Sequence, residues 1–79
     1  MTVHATITAR NRRMECDYSF PSAVSREEAA DFIARRRAPA FRRVTPWYPL
    51  RPDALWAQLE DPDGGASAVR VDFCEEDTP

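Results

Sequence analysis

The feature that most constrains the fold is a period-two alternation of apolar and polar residues on both sides of a short turn. In residues 3–9 every second side chain is apolar, and the same holds for residues 14–20. This alternation is typical of strands that bury one face. Between the two runs, Asn11-Arg12 favours a tight turn because Asn tolerates the left-handed backbone conformation. The pattern predicts a β-hairpin over residues 3–20.

A capping sequence predicts one helix after the hairpin. Ser25 stands three residues before Glu28, the spacing at which a serine hydroxyl accepts a hydrogen bond from the backbone at the start of a helix. Arginines at 35–37 suit the last turn, where the helix dipole favours positive charge, and Pro39 ends the helix. The expected buried stripe consists of Ala29, Phe32 and Ile33.

Residues 40–60 leave alternatives open. Residues 41–45 suit a short strand, whereas three prolines within 46–52 favour an extended, irregular connection. Residues 55–60 suit either a short helix that begins at Pro52 or a strand with alternate residues inward. Turn-forming residues at 61–65 and renewed alternation beyond them favour the strand, as part of a second hairpin.

Together these elements predict an α+β fold: an antiparallel sheet of four to five strands (hairpin, helix, then strands or a second hairpin) with one main helix packed on one face. A chain of 79 residues has room for one core. The domain is expected to span residues 1–74, and the acidic residues 75–79 are expected to form a C-terminal tail.

The charge is divided along the chain although the net charge is only −2. Residues 1–52 contain ten arginines and five acidic residues, whereas residues 53–79 contain one arginine and eight acidic residues. All eleven basic residues are arginine, a bias typical of GC-rich bacterial or phage genes. An overall negative charge disfavours a general nucleic-acid-binding protein, which usually has a basic domain.

No constellation of residues indicates catalysis. His4, the only histidine, is expected on the polar face of its strand, while Cys16 is expected on the apolar face, which separates a nucleophile from a base. With Cys74, these residues lack the paired spacing of a zinc site, and two adjacent glycines make no phosphate-binding loop. We therefore expect no enzyme activity, no metal and no cofactor.

Nothing in the sequence predicts export or a membrane span. No run approaches the roughly 18–20 apolar residues that a spanning helix needs, and residues 1–6 lack the pattern of a secretory signal. We expect a cytoplasmic protein with reduced thiols and no membrane contact. Pairing of Cys16 with Cys74 is left open.

Two sets of residues are candidates for binding a protein partner. Tryptophan and tyrosine are enriched at interface hot spots, and acidic residues complement a basic surface. The aromatic set is Trp47, Tyr48 and Trp56, and the acidic set is Asp61, Asp63, Asp72, Glu75 and Glu76. For the tryptophans, a structural role at the ends of a small core is the competing interpretation.

A third set supports the alternative function of a small nucleic-acid-binding regulator. Its members are arginines near the hairpin turn, the helix end and the following segment, where they could contact phosphates. They are Arg10, Arg12, Arg13, Arg35, Arg37, Arg42 and Arg43. Self-association through an open sheet edge or an apolar patch is a further alternative.

At the level of general type, the chain resembles the small inhibitors that phages and mobile elements encode, of which anti-CRISPR proteins are an example. The resemblance covers the whole chain in its size, single α+β domain, lack of catalytic chemistry and divided charge, and no motif carries it. It implies stoichiometric inhibition, in which the chain occupies a basic nucleic-acid-binding surface of a bacterial effector complex. The implied partner is a bacterial protein, a subunit that handles nucleic acid.

Overall fold

The computed structural model describes residues 1–9 and 12–74, which form one antiparallel sheet and one helix. The strands follow the order β2-β1-β6-β5-β3, and β4 pairs with β5 beside β3. The elements are β1 (Thr2–Ala9), β2 (Arg12–Ser19), α1 (Arg26–Arg37), β3 (Arg42–Arg43), β4 (Tyr48–Arg51), β5 (Ala54–Glu60) and β6 (Ala66–Cys74). The α+β class is therefore confirmed.

The alternating residues at the start of the chain form the hairpin that the sequence predicts. β1 and β2 pair antiparallel from Thr2 opposite Ser19 to Ala9 opposite Arg12. Arg12, expected in the turn, is therefore already the first residue of β2. β1 pairs on its other side with β6, so it lies inside the sheet and β2 forms an edge.

The helix begins where the capping sequence predicts. The Ser25 side chain accepts a hydrogen bond from the Glu28 backbone N–H (3.1 Å), and three arginines occupy the last turn. The expected buried stripe was partly wrong. Ala29, Ala30 and Ile33 are buried, whereas Phe32 is 48% exposed, because its ring lies against Tyr18 and Phe20 at the side of the helix.

Residues 55–60 belong to a strand, so the helical alternative is excluded. β5 pairs along its length with β6 to form the second hairpin. The connecting turn is closed by a backbone hydrogen bond from Asp61 N–H to Gly65 C=O (3.0 Å). Gly64 has a φ of 82°, a conformation in which a residue with a Cβ would be strained.

The sheet has six strands, and the expected number of four to five was therefore too low. The additional strand, β4, arises in the proline-rich segment, for which the sequence favoured an irregular connection. β4 tolerates Pro49 because β4 lies at the edge of the sheet, where only one side of the strand is paired and a missing N–H interrupts little of the hydrogen-bond ladder. A register shift between Pro49 and Arg51 makes β4 less regular still.

One hydrophobic cluster joins the helix to a single face of the sheet. Alternate residues of β1, β5 and β6 contribute to it together with Ala29, Ala30 and Ile33 of α1, and partly buried residues of β2 pack against it. We call this side of the sheet the covered face; its fully buried strand residues include Val3, Ala5, Ile7, Ala57, Val69 and Val71. Within the described ranges, no helix has the length and apolar character needed to cross a membrane. Residues 75–79, expected as an acidic tail, lie outside the described residues.

Candidate partner-binding surface

The sheet face opposite α1, here called the open face, carries the intervening residues of the same strands. The strand registers align them in rows across the sheet, with neighbouring strands about 4.8 Å apart. One row runs Glu15, Thr6, Arg70, Trp56, Tyr48, and the next runs Asp17, His4, Asp72, Ala54. The open face therefore has an acidic end at β2 and an aromatic end at β4.

His4 holds the acidic end together. Its Nδ1 lies 2.7 Å from Asp17 Oδ1, and its Nε2 lies 3.2 Å from Glu15 Oε1. With a carboxylate at each ring nitrogen, the protonated imidazole can donate at both positions. The hydrogen bond to Asp17 is the main cause of a raised His4 pKa; burial opposes it as the second-largest effect, and the hydrogen bond to Glu15 raises the pKa by less.

Three guanidinium groups of the open face have carboxylate neighbours. Arg70 contacts Asp72 through Nη2 (3.1 Å to Oδ1) and Nε (3.2 Å to Oδ2). Arg42 Nη2 lies 3.0 Å from Glu60 Oε1, and Arg13 Nη2 lies 3.8 Å from Glu15 Oε1. Because the two members of each pair neutralise one another locally, these three arginines present no concentrated positive potential of the kind that attracts phosphates.

The aromatic end is the most apolar part of the open face. The rings of Tyr48 and Trp56 stack at a centroid distance of 6.3 Å and an angle of 27°. Tyr48 is 48% exposed, and the adjacent Leu50 is 50% exposed. We call these three residues the aromatic patch. Trp56 and Leu50 also line a concavity of about 510 Å³ that extends across the sheet to His4.

Trp47 does not belong to this patch. Its Nε1–H donates to Asp31 Oδ1 of α1 (2.9 Å), the Arg43 guanidinium lies over its ring (5.7 Å), and it packs against the core cluster. Trp47 and Tyr48 point to opposite sides because consecutive residues of an extended chain do so. The structure therefore places Trp47 in a structural role and separates it from Tyr48 and Trp56.

The acidic candidates are divided between two ends of β6. Asp61 and Asp63 lie in the β5–β6 turn, whereas Asp72 lies six residues beyond the start of β6, roughly 20 Å away along the strand. Asp72 is engaged by Arg70. Glu75 and Glu76 lie outside the described residues. The acidic set is therefore not assembled into one patch within the described ranges.

The arginine candidates are also separated. Arg12 and Arg13 lie on β2, at one edge of the sheet, while Arg42 and Arg43 lie on β3, at the other. Four inter-strand spacings divide them, about 19 Å. Arg35 lines a cavity of about 260 Å³ together with Arg42 and Arg43, whereas Arg37 stacks over Tyr18. Arg10 lies outside the described residues.

The structure also shows residues that sequence reasoning missed. Leu50 joins the aromatic patch, and Thr6 and Arg70 lie at the centre of the open face. The alternation of residues 66–74 placed Arg70 on a polar face, but nothing in the sequence showed that β1 would lie beside β6. On the helix side, Phe20 and Phe32 form an edge-to-face pair with centroids 5.5 Å apart.

The cysteines and histidine form no reactive cluster in the described part of the chain. Cys16 and Cys74 are free thiols, and they lie on opposite faces because Cys16 pairs with Ala5 of the covered face and Cys74 with Thr2 of the open face. Among residues 1–9 and 12–74, no group of three or more His, Cys, Asp or Glu side chains could hold a metal ion.

Comparison with known proteins found no relative of this chain. No family model, no curated protein and no solved structure matches the chain.

Proposed function

We propose that this chain is a non-enzymatic domain that binds a protein partner through the aromatic patch of its open face. The observation that carries the proposal is the stacked Tyr48–Trp56 pair, in which Trp56 lines a broad concavity together with the neighbouring Leu50. Rigid aromatic side chains that remain partly exposed beside a concave surface are characteristic anchors of protein interfaces. Neither ring is needed to close the core cluster of the covered face.

The charge of the open face favours a protein over a nucleic acid. Carboxylates and guanidiniums are equal in number among the described strand residues of that face, and the two kinds are interleaved. The carboxylates are Glu15, Asp17, Glu60 and Asp72, and the guanidiniums are Arg13, Arg42, Arg51 and Arg70. A surface of this kind has no excess of positive charge to attract phosphates, and it can complement the mixed charges of a protein surface.

The biological role that we propose is stoichiometric inhibition of a bacterial effector that handles nucleic acid, as in proteins of the anti-CRISPR type. The open face would cover a basic surface that the effector otherwise uses for its nucleic acid. Asp61 and Asp63 in the β5–β6 turn extend the acidic character beyond Glu60 at that end of the sheet. Such complementarity raises the association rate at low ionic strength.

One observation favours the alternative of direct nucleic-acid binding. Arg35, Arg42 and Arg43 line the same cavity as Phe41, which brings three arginines and one aromatic residue to a common cavity. Arg42 and Arg43 also contact Glu60 and Asp31, which lowers the charge available to a phosphate. Binding at this cavity would weaken steeply with added salt and would be abolished by reversal of Arg42 and Arg43 to glutamate.

The deciding experiment captures partners of the immobilised full chain from a GC-rich bacterial lysate, with and without nuclease. The test variant is Tyr48→Ala/Trp56→Ala. The matched control is Phe32→Ala, which also removes a half-exposed aromatic ring but from the helix side of the molecule. We expect a nuclease-resistant protein to be retained by the wild type and the control and reduced at least about tenfold on the test variant, a loss typical of a hot spot.

The result that overturns the proposal is capture that vanishes with nuclease and survives the aromatic substitutions. In parallel, a labelled single-stranded oligonucleotide is titrated with the free chain at low and high salt. Salt-sensitive binding that the Arg42→Glu/Arg43→Glu variant loses would replace the protein-binding proposal with the regulator alternative. Inhibition is tested on the captured effector, whose nucleic-acid binding should fall to zero at about one chain per site.

A further inference from the structure

The two edges of the sheet differ in their protection against pairing with another strand. At the β4 edge, Pro46, Pro49 and Pro52 lack N–H groups, and the strand has a register shift at Pro49. β2, at the opposite edge, is a regular eight-residue strand without proline. In the part of the chain that the structure describes, β1 is the only strand paired with β2. β2 is therefore the edge open to a further strand.

The hydrogen bonds of β1 show which backbone groups of β2 face outward. Met1 and Phe20 exchange both backbone hydrogen bonds, each 2.9 Å long. Hydrogen-bonded pairs recur at every second residue of an antiparallel ladder, so the even-numbered residues of β2 direct their backbone groups toward β1. The odd-numbered residues Arg13, Glu15 and Asp17 consequently direct their N–H and C=O groups away from the sheet.

We propose that β2 pairs antiparallel with β2 of a second copy of this chain, about a two-fold axis at Glu15, to form a homodimer with one continuous sheet. In this register Arg13 lies opposite Asp17 of the partner subunit, and the symmetry repeats the pair. Three hydrogen-bonded pairs form, in which residues 13, 15 and 17 of one subunit lie opposite residues 17, 15 and 13 of the other. This inference does not depend on the proposed function, because it uses the opposite edge from the aromatic patch.

Charge and the number of hydrogen-bonded pairs together select this register over its neighbours. A two-fold axis at Cys16 would place Glu15 opposite Asp17 of the partner subunit twice, and like charges directly opposite one another destabilise a sheet. An axis at Met14 would leave only two hydrogen-bonded pairs within β2. At the proposed axis the two Glu15 side chains meet, and each has His4 Nε2 at 3.2 Å and Arg13 Nη2 at 3.8 Å to offset their repulsion.

The helix side of the same edge is also suited to a second copy. Met14 is 45% exposed in the single chain and therefore has apolar surface that a second copy could remove from water. In the proposed dimer Met14 lies opposite Cys16 of the partner subunit, and each side chain partly covers the other, so that both lose contact with water. The dimer would join the two open faces into one surface with two aromatic patches, so that it could bind a partner at two points.

The test is sedimentation equilibrium of the full chain over a concentration series from micromolar to millimolar. A monomer has a mass of 9.0 kDa, and we expect the average mass to double as concentration rises. Arg13→Asp and Asp17→Arg should each raise the dissociation constant at least about tenfold, because each creates like-charged cross-strand pairs. The double variant restores opposite charges across the axis and should recover most of the wild-type affinity.

The double variant discriminates between this dimer and a general charge effect. Within one chain it places an arginine beside His4 and an aspartate beside Glu15, so recovery cannot come from better contacts inside the subunit. A constant mass of one chain at every concentration would overturn the proposal, and so would a double variant that dimerises no better than the single ones. Circular dichroism confirms that each variant is folded.

Amide hydrogen exchange of the wild type is a second, independent test of the dimer. The amides of Arg13, Glu15 and Asp17 should exchange more slowly as the chain concentration rises, because the second copy accepts their outward hydrogen bonds. Exchange at these amides that is independent of concentration would contradict the proposal, whatever the mass measurement shows. That result would leave the proposed binding of a protein partner through the aromatic patch untouched, because the patch lies at the opposite edge of the sheet.

Discussion

The covered and open faces of the sheet are built from alternate residues of the same strands, yet their side chains differ in kind. Ile7, Val69 and Val71 of the covered face are fully buried against α1. On the open face, Thr6, Arg70 and Trp56 occupy the equivalent row, where no described element covers them. Packing limits what the covered face can carry, whereas the open-face residues are not needed to close the core. The difference shows which face is available for binding.

The strongest test of this difference compares adjacent residues of β1. Ile7→Asp places a carboxylate at a site that is 1% exposed and has no cation nearby in the core cluster. The penalty for an unpaired buried charge is several kcal/mol, comparable with the roughly 4 to 12 kcal/mol that stabilises a domain of this size. We expect the variant to show no cooperative thermal unfolding transition by circular dichroism at neutral pH.

The control is Thr8→Asp, which introduces the same group at the next residue. Thr8 is exposed on the open face opposite Arg13, so the stability should change by only about 0.5 kcal/mol. Equal destabilisation by the two substitutions would mean that the open face is covered in solution, and the contrast between the faces would fail.

Substitutions of the two tryptophans should have smaller effects on stability, and they distinguish a structural tryptophan from an exposed one. Trp47→Phe removes the N–H group that donates to Asp31, and we expect the free energy of unfolding to fall by about 1 kcal/mol. Trp56→Phe keeps an aromatic ring on the open face and should change the stability by less than about 0.5 kcal/mol. Urea unfolding followed by far-ultraviolet circular dichroism measures both. A larger loss for Trp56→Phe would assign the structural role to Trp56 and weaken the proposed function.

The smallest expected effect concerns His4 at the acidic end of the open face. Its pKa is raised chiefly by the hydrogen bond to Asp17, so protonation favours the folded chain. This contribution is fully present below the ordinary histidine pKa of about 6.5 and is lost as the pH rises through the folded value. Nuclear magnetic resonance titration of the only histidine ring should give a lower pKa in Asp17→Asn than in the wild type.

Glu15→Gln is the matched control for that titration, because Glu15 contributes a longer hydrogen bond to the same ring (3.2 Å against 2.7 Å). It should lower the His4 pKa by less than Asp17→Asn does. If neither variant changes the titration, His4 does not hold the two carboxylates in solution, and the acidic end of the open face is less ordered than the structure indicates.

Local patterns predicted the elements that depend on near neighbours. The hairpin of β1 and β2 follows from alternation and a short connection, and the start of α1 follows from the hydroxyl of Ser25. Alternation also placed His4 and Cys16 on opposite faces, as the registers confirm. Phe32 was assigned wrongly because its exposure depends on the position of Tyr18 and Phe20, not on the helix period alone.

The candidate site could be predicted only in part. Trp56 was included in the aromatic candidate set, and it lies on the open face. Trp47 and Tyr48 were grouped with it because tryptophan and tyrosine are enriched at interface hot spots, but the extended chain at the start of β4 directs them to opposite sides. That strand could not be predicted from a proline-rich segment, because its formation depends on the free edge of β5.

The sequence by itself determined the first hairpin, the start of the helix, which residues of the alternating strands share a face, and that the charge is divided along the chain. Each of these depends on backbone geometry and on neighbours a few residues away. Only the tertiary structure decided that β1 lies between β2 and β6, which brings His4 beside Asp72 and Thr6 beside Arg70. Backbone hydrogen-bonding groups are the same in every strand, so the order of strands is set by the packing of the whole core rather than by any local pattern.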